Sequence, residues 1–379
     1  ISMKKLLFQK FLKDTLKFFA IILFTFGFIV WVIQAVNFLD FVTEDGHSLN
    51  VYFFYSLYNF PKIIHRILPF AFFISLFYQI SQYELKNELL VFWTNGINKI
   101  TFINVIISYS IIIILLQIFL GSFISPAGQN EGRTYIRNSN IDFFPSLIKE
   151  GKFIDTVSNL TIFIGSQDES GTYHNIFLKD DISDGDIRKY QIVFAKRGKL
   201  ISEEKNRFFK LYNGKMINVE GKELTNISFE AIDFNLAKYQ AKTIKHPKIQ
   251  ESTTELLIKC LYYNYKDKLS DWSHKDFYCK PDALNIIKQE LLKRTYKPIY
   301  FPIIALLCCM LILKSKESRN YDFFKMYLFC IIFFIIIISE ISLRFVSNNN
   351  VGLYFFILFP ILFFLSVYVP LITKFKNKI

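Results

Sequence analysis

The stretch Tyr83 to Asn98, YELKNELLVFWTNGIN, decides the architecture. It lies between two apolar runs, Val51 to Gln82 and Ile100 to Ser125, each long enough to cross a bilayer. Leu85, Leu89 and Phe92 recur at spacings of four and three, which aligns them along one face of a helix. Glu84, Asn87, Glu88 and Val91 fall on adjoining faces. Gly96 follows the last turn, where a glycine commonly ends a helix. Two readings stay open from the residues alone. One is a solvated hairpin tip with a C-cap glycine; the other is a surface helix, 84–98, shaped to receive a partner.

The composition supports the membrane setting. Of 379 residues 52% are hydrophobic and 44 are Phe, too apolar for an ordinary soluble chain. The net charge is +13, and nucleotide bias explains a Lys-, Ile-, Phe- and Asn-rich chain as readily as function does. The distribution of charge is therefore more informative than its total. It does not point to nucleic acid, because the positive residues gather at membrane edges. Cys308, Cys309 and Cys330 lie in apolar runs and read as small buried residues. Cys260 and Cys279 lie in a polar region, and a disulfide between them is possible if that region faces an oxidising compartment. Nothing else there reads as a cysteine framework, and the absence of CxxC argues against a zinc site.

Six spans follow from hydropathy. The first apolar run, Phe18 to Leu39, has 22 uncharged residues and no small-residue cleavage site, so it reads as a span rather than a cleaved signal. The second covers roughly 51–82 and carries Pro61, Lys62, His65, Arg66 and Pro69 in its first half. The third, 100–124, is expected to end at Ser125-Pro126. The fourth, 298–313, is short, with Arg294 and Lys297 placed to snorkel at its start. The fifth, 323–346, contains Glu340 and Arg344, and the sixth covers 353–372.

Lys and Arg number five before the first span (4, 5, 10, 13 and 17), four in the 314–325 loop and three after the last span. The 40–50 and 346–352 loops hold none. By the positive-inside rule both ends and segment 84–98 are expected in the cytoplasm, and 126–296 outside. From Gly151 to about Lys238 the outer region alternates in short segments: GKFIDTV, LTIFIGS, YHNIFLKD, YQIVFAKRG, RFFKLY, KMINVE, LTNISFE and IDFNLA. Turn residues (DESGT, DISDGD, YNGK, VEGK) punctuate several of them. Eight or so strands at this spacing indicate a β-sandwich or jelly roll. Ser252–Tyr265 and Asp282–Tyr296 read as helices.

No enzyme is visible. GxxxxGK[ST], HExxH, GxSxG and the dinucleotide fingerprint are all absent, and His47, His65, His174, His246 and His274 are scattered. No cofactor, metal or catalytic residue is expected.

Glu88 to Asn98, ELLVFWTNGIN, resembles the E-[LM]-x-x-[ML]-x-x-x-G-[IL]-S coupling motif of the LptF/LptG permeases of the lipopolysaccharide exporter, with Asn98 where that family often has Ser and Trp93 and Asn95 at variable positions. WVIQAVNFLD (31–40) is similar to the end of the first span in the LptF branch, which favours LptF over LptG. PKIIHRILPFAF (61–72) resembles the second span's P-[RK]-x(5–6)-LPFA pattern. IKEGKFIDTVSNLTIFI (148–164) resembles the first jelly-roll strands, LREGxFxxxxxGLTVYI.

The resemblance implies an α-helical membrane protein with six transmembrane helices plus a periplasmic β-jelly-roll domain inserted between helices 3 and 4. Residues 1–125 would hold helices 1–3 with coupling helix 84–98, 126–250 the jelly roll, 251–296 a periplasmic helical connection, and 297–379 helices 4–6. It further implies a permease of the inner membrane, paired with a homologous LptG-like permease. A cytoplasmic LptB-like ATPase dimer would drive it. It would pass lipopolysaccharide to periplasmic LptA/LptC-like jelly-roll proteins, in part by edge-strand addition. The ATPase-coupling residues implied are Glu84, Glu88, Leu89, Phe92, Trp93 and Gly96, with Glu88 paired to a base on the ATPase and Leu89, Phe92 and Trp93 supplying apolar contact.

Charge inside a span is costly unless it faces a partner, a cavity or water. Lys62, His65, Arg66, Glu340 and Arg344 are expected at similar depth near the outer leaflet. Glu340 and Arg344 are spaced to pair with each other. Lys62 and Arg66 share a sign, and so need an anion; lipid phosphate held by Lys62, Arg66 and Arg344 is one answer, snorkelling to headgroups the other. A rival from another class is a membrane-anchored β-domain that binds an envelope glycan or protein partner. A membrane enzyme acting on lipids is disfavoured, since the spans show no convergent acid, base or metal ligands.

Overall fold

Hydropathy dictates the helices. The computed structural model describes residues 3–39, 49–138, 150–157, 159–168, 171–181, 189–203, 206–221, 223–235, 248–266, 277, 279, 281–346 and 350–376. Within these, six helical stretches are long and apolar enough to cross a membrane: Met3–Asn37, Leu49–Leu85, Lys99–Ile136, Pro281–Leu313, Tyr321–Phe345 and Val351–Phe375. The loops at 40–48 and 347–349, and His47, His246 and His274, lie outside the described residues.

Helix α1 (Met3–Asn37) has 35 residues. At about 1.5 Å per residue it exceeds a hydrocarbon core of about 30 Å, so its lysine-rich start extends beyond that core. Phe11, Thr15, Phe19, Ile22, Leu23 and Gly27 form its single buried stripe. Helix α2 (Leu49–Tyr58) breaks at Asn59, and α3 (Phe60–Leu85) begins with Pro61 in its first turn, where a missing N–H costs nothing. After the short α4 (Glu88–Thr94), α5 (Lys99–Phe119) passes through a π segment at Leu120–Ile124 into α6 (Ser125–Asn138). The helix of the third span therefore continues past Ser125-Pro126. Pro126 falls in the first turn of α6, the one helical position that tolerates it.

The helical unit is organised around the fourth span. Helices α7 (Thr254–Tyr265) and α8 (Leu284–Thr295) lead into α9 (Tyr300–Cys309). Nine of the ten α9 residues are buried, as expected for a helix apolar on every side. It packs against α3, α5, α10 (Tyr321–Phe345) and α11 (Asn350–Lys376). The outer helices keep large apolar side chains exposed, among them Phe24 on α1, Phe334 on α10 and Leu362 on α11, as a lipid-facing surface requires. Cys260 and Cys279 are bonded to each other, with Cα atoms 5.9 Å apart.

The β-unit is a six-stranded antiparallel meander in the order β1 (Phe153–Val157), β2 (Leu160–Gln167), β3 (Thr172–Asp181), β4 (Lys189–Glu203), β5 (Asn206–Glu220) and β6 (Glu223–Asn235). The eight short strands expected are thus six, because two neighbouring pairs fuse. RFFKLY and KMINVE join across the expected YNGK turn. Asn213 takes φ +51° there, yet the ladder to β4 keeps one register on either side, with Tyr212 opposite Arg197 and Gly214 opposite Ala195. LTNISFE and IDFNLA join because no turn residue separates them. Among the described residues Ile164, Leu178, Phe209 and Leu211 are fully buried within one cluster of strand side chains.

Candidate functional site

Segment 84–98 is two pieces rather than one helix. Lys86 and Asn87 interrupt it, Asn87 with φ +60°, so Glu84 and Leu85 close α3 and a seven-residue α4 follows. Gly96, at φ +69°, turns the chain back toward α5, a conformation that costs glycine little. The N–H groups of Gly96 and Ile97 donate to the carbonyls of Trp93 (3.0 Å) and Phe92 (3.1 Å).

The two pieces face different ways. Leu89 and Phe92 are each 1% exposed and point into the bundle, where the Phe92 ring meets Phe8, Phe11 and Phe102 at 5.4, 6.4 and 5.4 Å. Trp93 is half-buried, with the Lys99 ammonium 5.8 Å from its ring. Leu85, Leu90 and Val91 are exposed. The stripe read from sequence therefore loses Leu85, which the break at Asn87 swings away. Charged groups tie the segment to the rest of the unit. Lys10 pairs with Glu88 at 3.2 Å, and Lys4 Nζ donates to the Gly96 carbonyl at 3.2 Å. The Lys316 backbone N–H donates to Glu84 Oε1 at 3.1 Å, and its Nζ to the Leu85 carbonyl at 3.0 Å.

A second constellation lies where α3, the π segment, α6 and α8 meet. Lys62, His65, Arg66, Gly121, Ser125, Gln129, Gln250, Glu290, Lys293 and Arg294 line one polar recess, four cations against one carboxylate. Glu290 is engaged by Lys293 (3.3 Å) and Arg294 (3.0 Å). Neither Lys62 nor Arg66 has a carboxylate partner among the described residues. Arg344 is exposed near the end of α10 and is not among the recess residues.

Three expectations about these charges change. Arg294 does not snorkel: it is 1% exposed, and its guanidinium donates to the carbonyls of Gln250 (2.9 Å) and Ser252 (3.0 Å), to Thr254 Oγ1 (3.0 Å) and to Glu290. Carbonyls brought from over forty residues away satisfy it in place. Lys297 does not snorkel either, because it pairs with Glu340. Glu340 is thus held by a base on the neighbouring span rather than by Arg344 one turn on. The sequence reading missed Lys293, and with it Glu251, which Arg133 grips through two nitrogens at 2.6 Å.

Below the recess α3 and α5 meet through polar groups. Pro69 has no N–H to offer the His65 carbonyl four residues back, and Gln117 Nε2 donates to that carbonyl at 3.0 Å instead. Beside it the π segment brings Gly121 against the His65 ring, where an added Cβ would lie 2.6 Å from Cε1. A proline and a glutamine within facing spans were the signal for this contact. No group of His, Cys, Asp and Glu able to hold a metal occurs among the described residues.

The family model described as lipopolysaccharide export system permease LptF/LptG matches residues 10–374. A Rickettsia prowazekii (strain Madrid E) protein, named as uncharacterized protein RP871, is 22% identical over 339 residues, covering 84% of this chain and 93% of its own length. With the match running from the first helix to the last, the chain belongs to the LptF/LptG family of lipopolysaccharide export system permeases.

Proposed function

We propose that this permease is one half of an ABC exporter, driven by a separate LptB-like ATPase dimer that docks on Glu84–Asn98. The observation that carries the reading is the two-faced short helix. Leu90 and Val91 offer apolar surface outward, while Leu89 and Phe92 on the opposite side anchor in the bundle. A push on such a helix is passed to the spans rather than absorbed by a loose loop. In this arrangement Glu88 gives register, Gly96 sets the turn, Trp93 braces the helix against Lys99, and Leu89 and Phe92 act as roots. Both chain ends then lie in the cytoplasm, and the β-meander belongs to the periplasmic jelly roll within 126–250, followed by the helical connection 251–296. Strand β6, which ends the sheet among the described residues and carries mostly exposed side chains, suits strand addition to LptA/LptC-like proteins. The second half is an LptG-like chain, with this one in the LptF branch on its WVIQAVNFLD segment.

Reversing the charge of Glu88 tests the docking. Glu88→Arg is expected to lower co-purification of the ATPase by at least about tenfold, the effect of 1.4 kcal/mol or more at an interface. Unchanged co-purification would favour the rival reading, a β-domain merely anchored by its spans.

Lys62, Arg66 and Arg344 are proposed to hold the phosphates of lipopolysaccharide. Lys62 and Arg66 support this best, as cations lining a recess whose acid is already engaged. Arg66→Ala is expected to reduce lipopolysaccharide crosslinking several-fold; unchanged crosslinking sinks the assignment.

A further inference from the structure

The polar recess is defined by how its charges are used and by how little space they leave. Lys62 and Arg66 stand one turn apart on α3, and Lys293 and Arg294 come from α8. Lys62 lies within electrostatic reach of both Arg66 and Lys293. Arg294 is committed to Glu290, Thr254 and two backbone carbonyls, so it contributes charge more than free donors. Lys62 and Arg66 make no hydrogen bond or ion pair among the described residues. Four cations against the single carboxylate Glu290 leave three positive charges uncompensated at the lining. The next carboxylate, Glu251, is gripped by Arg133.

Two further observations bear on what the recess can take. His65 lines it at 7% exposure, and its Nδ1 has no hydrogen-bond partner among the described residues. A buried polar atom of this kind is costly unless something bonds to it. The free space is about 10 Å³, room for one atom the size of a water oxygen and too little for a whole phosphate group.

We propose that the recess selects lipids ending in a phosphomonoester over phosphodiester lipids, by admitting one terminal phosphate oxygen. Lys293 is the specificity-determining cation, and His65 Nδ1 is a hydrogen-bonding partner at the wall. The inference rests on the reading of Lys62 and Arg66 as phosphate ligands and deepens it. A phosphomonoester carries a charge of about −1.5 to −2 at pH 7 and three unsubstituted oxygens, any of which can enter a narrow recess. A phosphodiester carries one negative charge, and two of its oxygens bear ester arms. The first comes close to balancing the excess charge, and the second leaves most of it. Lys62 and Arg66 alone would suit either headgroup. Lys293, brought from a different helix, is the cation that a single charge leaves unanswered. Charge balance weighs more in a half-enclosed site than in open water.

The full-length permease in a non-ionic detergent is titrated with dioctanoyl phosphatidic acid and with dioctanoyl phosphatidylmethanol, the same lipid methylated on one phosphate oxygen. Bound lipid is counted by native mass spectrometry. The monoester is expected to bind at least about tenfold more tightly, the effect of one charge-assisted hydrogen bond. Lys293→Gln is expected to remove most of that ratio without changing the melting temperature, and Lys293→Arg to keep it. Arg66→Ala is expected to weaken both lipids. Equal affinities for the two lipids, both lowered by Arg66→Ala, would overturn the monoester preference and leave the phosphate reading standing. A preference that survives Lys293→Gln overturns the role of Lys293. Affinities that ignore Arg66→Ala remove the phosphate reading itself. Inorganic phosphate is the third probe: binding as tight as that of phosphatidic acid, with the same dependence on Lys293, would assign the recess to free phosphate and overturn a lipid site.

Discussion

Replacing Arg294 with alanine is expected to destabilise the helical unit by about 3–5 kcal/mol, the range found when one partner of a buried ion pair is removed. The side chain is 1% exposed, and it supplies donors to Glu290, Gln250, Ser252 and Thr254 together. Alanine leaves two backbone carbonyls without this donor and Glu290 with Lys293 alone. Arg294→Lys is expected to recover little, because an ammonium on a flexible stem cannot reproduce a planar fork that meets several acceptors at once. Thermal unfolding of the detergent-purified protein reads the effect. A loss under about 1 kcal/mol, the value of an ordinary surface pair, would show that the network carries no weight.

Gly121→Val is the second large effect. Its Cβ would lie 2.6 Å from His65 Cε1 and within 3.2 Å of both ring nitrogens, with two further methyl groups to place. Overpacking of this kind costs about 1–3 kcal/mol. Pushing α5 from α3 would also stretch the Gln117 bond to the His65 carbonyl, and a buried acceptor left unmade adds about 1–3 kcal/mol. The expected sum is a few kcal/mol, read again as a fall in thermal stability. His65→Ala removes the ring that valine would strike, so the double variant should be more stable than Gly121→Val alone. Such non-additivity is the mark of direct contact. If His65→Ala adds its own cost on top, the clash does not arise at the imidazole.

Both sites show where reading the chain stops. Arg294 sits at the start of an apolar run, and local reasoning assigns it to headgroups. Its partners at Gln250 and Ser252 are over forty residues away, and nothing in the local pattern announces them. Glu340 has Arg344 one turn on, yet its partner is Lys297 on the adjacent span. Local spacing named one partner; packing chose another.

The short helix was half legible. Gly96 ends it as its position requires, and Leu89 and Phe92 share a face as their spacing requires. That this face looks inward depends on Phe8, Phe11 and Phe102, which lie on other helices. The break after Leu85 depends on Asn87, one of the few residue types that enters the left-handed region at modest cost.

In the β-unit, alternation located all six strands, while Asn213-Gly214 imitated a turn. A single left-handed residue can be carried inside a long strand when both neighbouring strands hold the register, as β4 and β6 do here. Only the assembled sheet decides between kink and turn.

What this sequence determined by itself was everything set by local free energy of transfer: six apolar spans, a polar insert of alternating strands between the third and fourth, and the helix-ending glycine. Water-to-lipid transfer acts residue by residue and sums along a run, so it can be read from the run. What only the tertiary structure decided was the partner of each buried charge and the direction of the short helix's apolar face. Those depend on which distant backbone carbonyls, carboxylates and rings the packed spans bring within reach, and contacts of that kind have no signature in local spacing.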